Sequence, residues 1–197
     1  EEQLPDPPRQ QEAASTPAYS QKADMPVERY AYESLSEEGK QIYDSMLSVI
    51  LNYEEKVKLD SKDTALMEKA YLALTSDYGN LFWVEGYTYT RYTKGDRLVG
   101  LDFSPNYTMT EEEMKVKQRQ VDGVVSEWLA GSTELYSDYE KARYVFETLI
   151  EKVDYVEGAR DSQNILSVFL NRQTVCQGYA SATQYLLRQL GIPSTIV

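Results

Sequence analysis

The sequence predicts an α+β protein, mainly helical, with one β-hairpin. Two Ser/Thr-x-x-Glu capping boxes stand ahead of apolar residues at helical spacing, which predicts helices. Two runs rich in aromatic and β-branched residues flank Lys94-Gly95-Asp96, which predicts the hairpin. An apolar content of 42% supplies a core for both.

Leu35-Ser36-Glu37-Glu38 starts the first helix. Ser36 can cap, Leu35 can staple, and both carboxylates lie at the positive end of the dipole. Ile42, Met46, Leu47, Ile50 and Leu51 follow on one face. Val57 and Leu59 alternate with lysines as a short strand. Asp60 or Ser61 is expected to cap a second helix carrying Leu66, Ala70, Leu72, Ala73 and Leu74 and ending near Gly79. In the hairpin, Leu81-Phe82-Trp83-Val84 leads into Tyr87 to Tyr92, Arg97 to Phe103 returns, and Pro105 closes the strand. Its aromatics read first as a sheet face packed on helices and second as a surface for stacking a ligand.

Thr110-x-x-Glu113 opens the next helix, with Met114, Val121, Val124, Val125, Trp128 and Leu129. Ser137-x-x-Glu140 opens another, with Ala142, Val145, Phe146, Leu149 and Ile150. Glu111, Glu112 and Glu113 read as a solvated first turn, because the spaced Asp/Asn and glycine pattern of a calcium loop is missing.

Composition narrows the function. Thirty-two acidic against 20 basic residues give a net charge of −12, which disfavours a nucleic-acid partner. No apolar run is long enough to span a membrane. One cysteine, Cys176, excludes an intramolecular disulfide. The absence of histidine excludes a Ser-His-Asp triad, a Cys-His dyad or a His-ligated zinc built from these residues alone, and neither a metal nor a cofactor is expected. The stretch 1–27 holds five of the seven prolines and reads as a disordered acidic tether. A chain that opens on Glu1 instead of Met points to a removed export signal, hence an extracellular or cell-surface location. Residues 28–109 then form an accessory helix-plus-hairpin region, and 110–197 the helical start of a second one.

Thr174-Val175-Cys176-Gln177-Gly178-Tyr179-Ala180 carries most of the chemistry. Thr174-x-x-Gln177 reads as a third capping box, with Thr174 the N-cap and Cys176 the second helical residue. Leu186, Leu187 and Leu190 mark the buried side, and Gly191 and Pro193 the stop. A helix start favours an anion, so a thiol there is disposed to nucleophilic chemistry. Gly178 costs helix stability and is expected to permit a close approach of another element. Gln177, Gly178 and Tyr179 are the candidate binding residues, and Gln173 or Gln177 the candidate oxyanion side chains.

These residues, with Asp138-Tyr139-Glu140-Lys141-Ala142, Val153-Asp154-Tyr155, Ser162 to Leu170 and Leu186 to Ser194, resemble the transglutaminase-like superfamily in its bacterial members, whose core is papain-like. Leu35 to Tyr107 resembles the accessory N-terminal portion of such surface proteins. The resemblance implies Cys176 as nucleophile in acyl transfer or peptidase chemistry on a protein or peptide amide, including one in a cell wall. It also implies a histidine and an aspartate on strands after the cysteine helix. Ser194-Thr195-Ile196-Val197 resembles the first of those strands, which predicts a core cut short after the nucleophile helix. Lacking both partners, the chain is expected to be nearly inactive by itself, with Ile196 and Val197 forming an edge that pairs with another copy. The alternative is a non-catalytic surface module in which the tyrosine-rich hairpin binds a polymer or partner; 17 tyrosines against four phenylalanines motivate it.

Overall fold

The computed structural model describes residues 29–197; the predicted tether, 1–27, lies outside the described residues. The architecture is α+β and mainly helical. Its first group of elements comprises α1 (Tyr30–Glu33), α2 (Glu37–Leu51), β1 (Val57–Leu59), α3 (Thr64–Asp77), β2 (Val84–Lys94) and β3 (Arg97–Tyr107). The three strands form an antiparallel sheet in the order β1-β3-β2. Its second group comprises α4 (Glu111–Trp128), α5 (Asp138–Lys152), β4 (Asp154–Tyr155), β5 (Gln173–Thr174) and α6 (Cys176–Gln189), with a π-helical turn at Ser167–Asn171. β4 and β5 pair in parallel.

Local sequence explains most helix starts. Ser36 accepts from Gly39 N–H, and the two predicted Ser/Thr-x-x-Glu capping boxes form. The cap of α3 is Asp63, not Asp60 or Ser61: its carboxylate accepts from Ala65 and Leu66 N–H, while Ser61 Oγ accepts from Asp63 N–H. Gly95, at φ +61°, turns the hairpin. Pro105 does not close β3; it pairs with Tyr87 inside the strand. β1 covers β3 only from Leu101 to Phe103, so a residue without an N–H is tolerated beyond that point.

The apolar faces are partly as predicted. Ile42, Met46, Ile50, Ala70 and Leu74 are buried on α2 and α3, and Val121, Val125, Trp128, Val145 and Leu149 on α4 and α5. Leu51, Leu72, Phe146 and Ile150 instead face solvent, because one side of each helix already fills the core. The hairpin aromatics divide in the same way. Tyr87 packs on Phe103 and Tyr71, whereas Tyr89 is exposed. Tyr92 lies over Gly100 and donates to Asp102 at 2.9 Å. Many tyrosines act as tethers, with Tyr107, Tyr144 and Tyr179 each donating to a backbone carbonyl.

The capping boxes make stability depend on pH. Glu113 accepts from the N–H and then the hydroxyl of Thr110, and Glu140 does the same with Ser137, which holds both carboxyls below their ordinary 4.5. A lowered value in the folded state means that the ionised caps stabilise above the ordinary value and lose that contribution as pH falls through the lowered one. Urea midpoints should therefore drop on acidification below about pH 4.5. The Glu113→Gln/Glu140→Gln chain should show a shallower drop, and circular dichroism at neutral and acidic pH checks it.

Candidate functional site

Cys176 is exposed, unpaired and the first residue of α6, one position earlier than the capping box predicts. The difference has a physical cause. Thr174 is not the N-cap; Val175 is, and no side chain caps this turn. The Thr174 hydroxyl is fully buried and engaged elsewhere, 2.6 Å from Ser167 Oγ and donating to Ser162 O at 3.2 Å. The opening N–H groups of α6 are therefore left without a side-chain acceptor. An uncapped helix start can take a developing negative charge in a way a capped one cannot.

Several elements hold this start in place. β5 fixes the residues before the thiol by pairing with β4: Val156 N–H donates to Thr174 O, and Asp154 N–H to Arg172 O, both at 2.9 Å. Arg172 takes a left-handed conformation, φ +60°, and lays its guanidinium 4.3 Å from the centre of the Trp128 ring. Burial lowers its basicity. Trp128 packs in turn on Phe169, and Phe169 on Tyr185 of α6. Gly178 is buried against the π turn. A Cβ there would overlap Thr174 Oγ1 and stand 2.8 Å from Ser167 Oγ and 3.1 Å from Ser162 O. This is the close approach expected from sequence.

Of the other candidates, Gln177 and Gln173 are exposed and flank the thiol in sequence. Tyr179 is half-buried: its hydroxyl donates to Val153 O at 2.5 Å, and its ring is parallel to Tyr155 with centroids 6.4 Å apart. Among the described residues no cluster of three or more His, Cys, Asp or Glu could hold a metal, and no helix is long and apolar enough to cross a membrane.

The far end of α6 stops as predicted, at Gly191 with φ +78°; Gly191 N–H bonds Arg188 O and Ile192 N–H bonds Leu187 O. Residues 194–197 are not a strand. They run against the end of α3, where Ile196 N–H donates to Ser76 O at 3.1 Å, and Thr195 Oγ1 lies 3.3 Å from Ser76 O.

Three residues missed in sequence join the two groups of elements. Gln184 donates to Ser76 O at 2.7 Å and Ser194 O at 3.2 Å, and accepts from Gly79 N–H at 2.9 Å. Arg188 donates to Asp77 O at 2.5 Å. Asp77 is fully buried; it accepts from Ala31 N–H, Tyr32 N–H and the Tyr43 hydroxyl within the first group and from the Thr195 hydroxyl of the tail at 3.4 Å. A polar residue in an apolar helix face at Asp77 was the one local signal available.

Residues 126–197, from the last turn of α4 through α6, match the family model described as the transglutaminase-like superfamily. A comparison with curated proteins finds no match.

Proposed function

We propose, from the premise that residues 126–197 are transglutaminase-like, that Cys176 is the nucleophile of a cysteine acyl-transfer or amide-hydrolysis site. The observation that supports this is the exposed thiol on the first residue of a helix that no side chain caps. The thiolate attacks the carbonyl carbon of an amide, and the open N–H groups steady the oxyanion. The C–N bond then breaks, the amine leaves with a proton, and a thioester remains. An amine or water attacks the thioester and releases the sulfur. The proton transfers call for a base, and these 197 residues hold no histidine. The chain thus supplies the nucleophile and the oxyanion donors, and a base other than histidine, or a group joined to the chain, completes the site. The acidic, proline-rich stretch 1–27 fits the tether of an exported, surface-attached enzyme acting on protein or peptide amides.

An activated ester tests the nucleophile without needing a base. p-Nitrophenyl acetate should acetylate Cys176 of the native chain at neutral pH about tenfold faster than that of the urea-unfolded chain, and Cys176→Ser should take up no acetyl group there. Intact-mass spectrometry reads the adduct. Equal rates for folded and unfolded chains would end the proposal. A second reading, a non-catalytic surface-binding module, draws on Tyr89, 46% exposed on the hairpin. It requires an inert thiol, so the same measurement separates the two.

A further inference from the structure

We infer that the free edge of β2 pairs with β2 of a second copy of this chain, joining two three-stranded sheets across a two-fold axis at Tyr89. The inference concerns the hairpin alone and is independent of the chemistry at Cys176.

β2 is the outermost strand of its sheet, and it is exposed from Thr88 to Lys94. Pro105 reveals which backbone groups that edge presents. It has no N–H, so its pair with Tyr87 is one whose residues point their backbone groups away from each other. The register is regular from Tyr87 to Tyr92, with irregularities only at the two ends, so the alternation carries through. Tyr87, Tyr89 and Arg91 therefore aim their N–H and C=O groups away from β3. Among the described residues no hydrogen bond reaches these groups. Between Tyr87 and Tyr92 there is no proline, glycine or lysine to guard the edge, and Arg91 is the single charge.

The strand is its own complement. Thr88 and Thr90 flank Tyr89 symmetrically, as Tyr87 and Arg91 do one step further out. A two-fold axis at Tyr89 sets an outward residue opposite an outward residue at every second step. Tyr89 then bonds Tyr89 of the second copy, and Tyr87 and Arg91 bond each other in both directions. Sliding the strands either way leaves some of these groups without a partner. On one face this register sets the Arg91 guanidinium beside the Tyr87 ring across the join. On the other it sets Thr88 against Thr90, and both kinds of pair stabilise antiparallel strands. No carboxylate lies between Tyr87 and Tyr92, so a chain of net charge −12 meets its copy here without opposing like charges.

Sedimentation equilibrium on the whole chain tests the pairing. The mean mass should rise with concentration toward twice that of one chain. Tyr89→Pro removes an outward N–H and no bond to β3, so it should keep the parent circular dichroism and stay monomeric. Disulfides read the register in a Cys176→Ser background. Thr88 of one copy lies opposite Thr90 of the other, about 4.5 Å apart at Cα, inside the range that a disulfide spans. An oxidised mixture of Thr88→Cys and Thr90→Cys chains should give about tenfold more mixed dimer than either homodimer. A chain that stays monomeric at every concentration leaves this edge to a strand of another protein and overturns the inference. A Tyr89→Pro chain that still dimerises overturns it too, as does a mixed-dimer yield no higher than random collision gives.

Discussion

Replacing Asp77 with alanine is expected to cost about 3–5 kcal/mol, because several buried donors lose their acceptor at once and each orphaned group costs about 1–3 kcal/mol. The carboxylate has no exposure to solvent. It accepts from Ala31 N–H at 3.0 Å, Tyr32 N–H at 2.9 Å and the Tyr43 hydroxyl at 3.0 Å. Burial, and then the neighbouring Asp77 charge, raise the Tyr43 hydroxyl well above the ordinary tyrosine range, so it stays a donor wherever the fold exists. Alanine would leave these donors without an acceptor, and each orphaned group carries its own desolvation cost. The Arg188 bond to the Asp77 carbonyl survives, so the loss falls on α1, α2, the end of α3 and the Thr195 hydroxyl of the tail. Urea unfolding reads it as a lower midpoint at constant slope. Asp77→Asn, which keeps one acceptor oxygen, should recover part of the difference. A cost below about 1 kcal/mol for alanine would mean that water takes over the role of the carboxylate.

Gly178→Ala should cost about 2 kcal/mol or more, although alanine is the better helix former by about 1 kcal/mol. The new methyl would overlap Thr174 Oγ1 and crowd Ser167 Oγ and Ser162 O. None of these can step aside cheaply: Thr174 and Ser167 are fully buried, and the third atom is backbone. The strain lands on β5 and the first turn of α6, so acetylation of Cys176 should slow as stability falls. Thr174→Ala in the same chain removes the obstructing oxygen. The double variant should therefore be more stable than the sum of the single losses. Strict additivity would show that the overlap is not the cause.

What was legible in the sequence was chemistry that acts over three or four residues. Thr110 with Glu113 and Ser137 with Glu140 close their boxes because both partners lie within one turn and nothing competes for them. Thr174 and Gln177 carry the same spacing and do not close it, because Ser167 and Ser162 engage the hydroxyl first. No local pattern announces that competition. Phe146 and Ile150 have helical spacing yet face solvent, since periodicity gives a face and not its depth. Gly178 was read correctly because a glycine early in a helix has few other uses. Asp77 could not be paired from sequence, its donors lying 34 to 46 residues away.

The bridge made by Gln184 has a mechanical consequence. One buried carboxamide joins the end of α3, the turn at Gly79 and the tail at Ser194. Arg188 and the tail at Ile196 reach the same end of α3, and one apolar core runs through both groups, so the carboxamide works as a rivet among several ties and not as a lone pivot. The seating of α6, and with it the thiol on its first residue, is keyed to the end of α3 by a side chain about two turns further along the same helix.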